Sequence, residues 1–347
     1  LFGELQNAAA VLAAWAGDPA ALGEILPERP RFLTDLNPVA ALPDDSPTAR
    51  AALDRLGGGH FAEAGAALEQ ALAESGDAPG PRGARWWHAL GIAAQRTGQL
   101  SRAESAFAKA LEHDPGHVAA RLGRGALRAR RGDFAGARED FAGAGDGREA
   151  RWNRAAVAVL EAVAGTPGLP DGAVLREARA EAGPASEYWS DHTVGRLLWT
   201  ALVERALSRG GGDARCADER VLRAAEHELE FSTFWDRALV VHGYASVGMR
   251  REAAAAAAPL ASDLLRSLGA EPCMRGPAGQ ALRAPLEEAQ RLADSGNPGA
   301  ARAALGSLME RADLRRYRVP CLHCGRGTVG VAAVEDDGVT EEMGQPA

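Results

Sequence analysis

Lysine is almost missing from this chain: Lys109 stands alone among 39 basic residues, so nearly all positive charge is arginine. With abundant alanine and glycine, this usage points to a GC-rich bacterial genome and carries no functional meaning. Cysteine is also scarce. Cys216, Cys273, Cys321 and Cys324 are the four in 347 residues, too few for a disulfide scaffold and in keeping with a reducing cytoplasm. An excess of positive charge is absent, since the net charge is −8. That disfavours direct nucleic-acid binding or membrane-surface binding, both of which need a positive field. A long apolar run is lacking as well. "NAAAVLAAWAG" near the start is too short to span a bilayer and follows no basic segment, so it is expected to form an amphipathic first helix.

What is present is helical periodicity and self-similarity. Apolar and small residues recur at helix spacing, while strand-like alternation is scarce before residue 319. Gly98, Ala103, Phe107 and Ala110 recur 34 residues on as Gly132, Ala137, Phe141 and Ala144. An earlier copy, "GHFAEAGAALEQAL", supplies Gly59, Ala64, Leu68 and Ala71. Each position has a mechanical reason. Glycine frees the backbone at a helix–helix turn. The alanine five residues on lets two antiparallel helices approach, and Phe or Leu fills the space between them. Pro115 ends the second helix and opens the next repeat. A helix pair of this kind cannot bury its apolar face alone and must stack on its neighbours.

Trp87, Leu90, Gly91, Gly98, Ala103, Phe107, Ala110 and Pro115 together resemble the tetratricopeptide repeat family, lacking only the aromatic where Ala94 stands. The next copy keeps Gly125, Gly132, Ala137, Phe141 and Ala144 but has Arg121 in place of the tryptophan. "REARWNRAAVAVLEAVAG" at 148–165 reads as a third first-helix. The resemblance implies an all-α fold, a tetratricopeptide-like helix–turn–helix solenoid coiled as a right-handed superhelix.

The expected organisation is an N-terminal helix and linker at 1–46, the repeat array at 47–165 and a second helical-repeat block at 166–314. "TPGLPDG" at 166–172 is the expected internal boundary. Beyond it, helices are expected at 173–182, 186–208 and 217–230. The stretch 234–272 gives helix, Gly248 turn, Ala253, helix. Its ending "LLRSLGAEP" is similar to the bacterial transcriptional activator domain, and that likeness covers residues 234–290. Residues 287–312 repeat the turn with Gly296 and Ala301. The end changes character: 315–334 reads as a short β-hairpin carrying a CxxC pair, and 335–347 as a disordered acidic tail.

Catalytic patterns are few. "GGGH" at 57–60 lacks the Lys and Ser/Thr of a phosphate loop, and "HELEF" lacks the second histidine of a zinc-protease helix. Cys321 and Cys324 form a knuckle that can supply half of a four-ligand zinc site. A free or redox-active pair and an unliganded tail stay open beside it. His113 and His117 flank Pro115 and are read as repeat-junction residues.

In the resembled family the first helices line a concave surface that binds extended peptides. Carried onto this chain, the facing positions are Arg85, His88, Ile92, Gln95 and Arg96, then Ala119, Leu122, Ala126, Ala129 and Arg130. Asn153 matches an asparagine that contacts peptide backbones. The partner-binding set is therefore Arg85, His88, Gln95, Arg96, Arg130 and Asn153, and its arginines favour an acidic protein or peptide partner. The leading reading is a cytoplasmic, non-catalytic adaptor. A regulator of the transcriptional-activator type is a second. A helical enzyme or ligand-binding protein is a third, with Trp189, Asp191, His192, Trp199, Trp235 and His242 near a pocket between the two helical blocks.

Overall fold

The computed structural model describes residues 2–18, 20–26, 32–34, 39–76, 80–183, 194–209, 213–228, 233–270 and 277–309. These contain sixteen helices and no strand. The expected CxxC hairpin at 315–334 and the tail at 335–347 lie outside the described residues. The chain separates into two compact units. One is continuous, residues 28–230. The other is assembled from residues 1–27 and 231–347.

The unit formed by the chain ends holds α1 (Phe2–Trp15), α2 (Ala20–Ile25), α13 (Phe234–Ser246), α14 (Arg250–Ala270), α15 (Pro277–Asp294) and α16 (Pro298–Met309). Its two antiparallel pairs, α13–α14 and α15–α16, turn at Gly248 and Gly296 (φ 81° and 76°), and Ala253 and Ala301 are buried where the paired helices touch. Helix α1 packs on α14 and α16. Leu5, Val11 and Leu12 join Leu260, Leu265, Leu286 and Leu305 in one core. The opening helix is thus a working part of this core, not a detached element with its linker. Beyond the short α2 that follows it, its apolar stripe packs on helices more than two hundred residues away.

The continuous unit contains α3 (Pro47–Gly57), α4 (Phe61–Glu74), α5 (Pro81–Arg96), α6 (Leu100–His113), α7 (Val118–Arg130), α8 (Phe134–Gly143), α9 (Arg148–Gly165), α10 (Gly172–Ala182), α11 (Val194–Ser208) and α12 (Asp213–Glu228). Helices pair in order, α3 with α4, α5 with α6, α7 with α8 and α9 with α10, and each pair packs on the next. Turns at Gly98 and Gly132 use φ of 76° and 83°, a left-handed conformation that costs a side-chain-bearing residue. Ala103 and Ala137 are fully buried. Phe107 packs against Gly91 of its own pair and against Gly123 of the next, and Phe141 packs against Gly125. The small residues of the first helices are therefore sockets for the aromatic rings of the second.

His117, at the repeat junction, caps α7 by accepting the Ala120 N–H. Between α7 and α8, the fully buried Asp140 accepts both prongs of Arg124 and a third bond from Arg128 at 3.1 Å. This satisfies a carboxylate that would otherwise be costly to bury.

The Pro/Gly break at 166–172 does not divide the compact units. Helix α11 packs on α9, and Arg205 of α11 donates to the carbonyls of Val163, Thr166 and Gly168 at 3.1, 2.6 and 3.2 Å. Its Nε donates to the buried Asp218 of α12 at 3.0 Å. The Arg205 Nη1 thus bridges α11 to the end of α9 and the segment after it, while its buried Nη2 makes no hydrogen bond among the described residues, so the chain after the break stays attached to the array.

Candidate peptide-binding face

The first helices of successive pairs, α5, α7 and α9, lie side by side, with α7 packed on both neighbours. The N-terminal halves of α5 and α9 hold two short stretches of the same chain, residues 32–34 and 39–45. At α9, Asn153 is fully buried and its amide grips Leu33 from both sides. Oδ1 accepts the Leu33 N–H at 2.7 Å, and Nδ2 donates to the Leu33 carbonyl at 2.7 Å. The preceding Phe32 ring is buried and stacks on Phe141 with centroids 5.7 Å apart.

At α5, Arg85 donates to the carbonyl of Ala40 at 2.7 Å and pairs with Asp45 at 3.3 Å. The Trp86 indole N–H donates to the same Asp45 carboxylate at 2.9 Å. Val39 and Ala41 rest on the core of α3 to α6, while Leu42 is exposed. Burial alone pushes the Asp45 carboxyl up. The Leu42 N–H, the Trp86 indole and Arg85 outweigh it, and the carboxyl sits below the usual carboxylate range.

The C-terminal ends of the same helices differ. Arg96 and Arg130 are exposed, and Arg96 stands about 16 Å along α5 from Arg85 at 1.5 Å per residue. The Arg96 guanidinium lies over the Phe61 ring at 5.6 Å. Gln95 is half-buried, and its Oε1 accepts no hydrogen bond among the described residues.

His88, expected on the partner-facing surface, is instead buried. It packs 4.9 Å from the His117 ring and 5.7 Å from Phe107. Burial, and then the neighbouring His117, lower its pKa to about 3, so it is a neutral core histidine. Ile92, Leu122, Ala126 and Ala129 are buried too. The arrangement thus has a closed apolar floor, one edge occupied by residues 32–34 and 39–45 and one edge bearing arginine.

Sequence reasoning placed Arg85 and Asn153 on this face but missed Trp86, Asp45 and the segment that they hold. "RFLTDLNPVAALPDD" carries a signal in retrospect. It is an apolar, proline-containing stretch with no helix period, lying between two helices, and such a stretch needs a surface to cover it.

Trp199 is fully buried in α11, whereas Trp235 and His242 lie on α13 of the other unit. Trp189, Asp191 and His192 lie outside the described residues, as do Cys321 and Cys324 and with them the expected zinc pair. No cluster of three or more His, Cys, Asp or Glu among the described residues is placed to hold a metal. None of the described helices is long and apolar enough to cross a membrane.

Residues 84–117, the α5–α6 pair with its following turn, match the family model of the tetratricopeptide repeat. No curated protein shows significant similarity to the chain.

Proposed function

We propose that this chain is a non-catalytic adaptor that docks an extended, acidic segment of a partner protein along the first-helix face of α5, α7 and α9. The tetratricopeptide repeat is in general a protein–protein interaction module, and this chain carries one. The observation that carries the reading is Asn153 with Leu33. A buried side-chain amide that bonds both backbone groups of an extended residue is a device for holding peptide in a sequence-tolerant way. Arg85 with Asp45 supports the acidic preference, because the same face already pairs an arginine with a carboxylate. Arg96 and Arg130 offer further charge-assisted contacts. The scarcity of cysteine supports a reducing, cytoplasmic setting for the adaptor.

Affinity isolation from the source organism tests the reading. Wild-type chain and a Lys109→Glu control on α6 should retain the same partner. Arg96→Glu/Arg130→Glu should lower its recovery by about tenfold or more, since two charge-assisted contacts become repulsions. Equal recovery with the double reversal would contradict the reading.

A further inference from the structure

We infer that residues 32–34 and 39–45 are an intramolecular competitor for the peptide face, and that the partner segment they give way to shares their chemistry. That chemistry is an extended aromatic–aliphatic pair followed, further along, by a buried carboxylate. The inference rests on the docking reading above and names both the regulation and the ligand class of that face.

The contacts themselves argue for exchange. The bonds at Leu33 and Ala40 go to main-chain atoms, so any extended chain in the same place satisfies them. Two features read side chains. The Phe141 ring stacks on Phe32, and Arg85 with the Trp86 indole receives Asp45. The described residues of this strap, 32–34 and 39–45, belong to no helix. Apart from the turn in which the Asp45 N–H donates to the Leu42 carbonyl at 3.0 Å and the Leu42 N–H to the Asp45 carboxylate at 2.6 Å, they are without the hydrogen-bond ladder that holds a helix together. A strap held at separated points by generic bonds opens more readily than the helices beneath it. As a tethered segment it also competes at an effective concentration in the millimolar range. An incoming segment must match the aromatic and the carboxylate to displace it, and that requirement supplies selectivity.

The probe is a fluorescein-labelled peptide with the sequence of residues 32–46, titrated against the full chain. Wild-type chain should bind it weakly, because its own strap competes. Phe32→Gly/Leu33→Gly loosens the strap and should bind the peptide at least about tenfold more tightly. A peptide with glycine at the Phe and Leu positions should not bind, and Asn153→Ala in the loosened chain should abolish binding. Equal affinity of the wild-type and loosened chains, both folded, overturns the inference.

Hydrogen exchange on the unaltered chain decides the matter if the loosened variant fails to fold. The amides of Leu33 and residues 39–42 should exchange faster than those of α5 and α9, and faster still with excess peptide. Exchange of the strap only on global unfolding overturns the inference. Since the probe is the chain's own sequence, these failures leave partner docking untouched. Recovery with Arg96→Glu/Arg130→Glu tests that separately.

Discussion

Phe107 and Gly123 meet so closely that a Cβ built on the glycine would stand 2.8 Å from the tip of the phenylalanine ring. The two residues belong to consecutive helix pairs, so this contact is where one repeat locks onto the next. Gly123→Ala gains up to about 1 kcal/mol of helix propensity. Against that stands an overpacking cost of roughly 1–3 kcal/mol. The expected outcome is a lower melting temperature, partly restored by adding Phe107→Leu, because the shorter side chain vacates the socket. Thermal unfolding followed by circular dichroism reads both. An unchanged melting temperature for Gly123→Ala would show that the pairs are not locked through this ring.

His88 gives stability a defined pH slope. Its folded pKa is about 3, and the ordinary value is 6.5. Below pH 6.5 the unfolded chain therefore binds a proton that the folded chain refuses. Stability should fall as pH drops from about 6.5 toward about 3, by up to about 1.4 kcal/mol per unit. Urea titrations of wild type and His88→Gln at pH 7 and pH 5 check this. The variant should lose part of the difference between the two pH values, and identical slopes would contradict a buried neutral imidazole.

Asp45 acts in a lower window. Its folded pKa is depressed below 3.8, so its contribution is present above the unfolded value and is lost as pH falls through the folded one. At pH 7, Asp45→Ala leaves a buried indole N–H without its acceptor and Arg85 without its counter-ion. The expected cost is about 1–3 kcal/mol. Faster hydrogen exchange at Leu42, whose N–H donates to the same carboxylate at 2.6 Å, is the accompanying local sign. A variant as stable as wild type, with Leu42 still protected, would contradict the anchoring role.

The chain beyond the Pro/Gly break should share the fate of the array. Asp218→Ala removes the carboxylate paired with the buried Arg205 guanidinium. Breaking one partner of a buried pair costs roughly 3–5 kcal/mol. Hydrogen exchange should then show α9 and α11 losing protection together. Loss confined to α11 and α12 would mean that the break at 166–172 separates two independent blocks.

The repeats were legible in the sequence because their determinants are local. Gly98 sets a turn, Ala103 sets a helix contact five residues on, and Phe107 fills the gap, all within one pair. The pairing of α13 with α14 and of α15 with α16 was legible through the same offsets at Gly248–Ala253 and Gly296–Ala301. The grouping of α1 with α14 and α16 was not, since it depends on two apolar stripes far apart in the chain, and no spacing rule joins them. The face was half legible. Repeat position pointed to Arg85 and Asn153, but repeat position does not say that a neighbouring extended segment will reach them first. His88 shows the other limit. A first-helix position that projects outward in an open array is enclosed here between Phe107 and His117, and the residue type alone did not distinguish the two.

The central claim is that partners dock on the first-helix face, and site-specific photo-crosslinking in living cells of the source organism tests it most directly. A photoreactive amino acid is placed in turn at Arg96 and Arg130 on that face, and at the exposed Ser105 of α6 and Glu139 of α8 on the second helices. The account predicts one adduct of common mass at Arg96 and Arg130 and none at Ser105 or Glu139. An adduct at Ser105 or Glu139 in place of Arg96 and Arg130, or no adduct at any of the four, would contradict it.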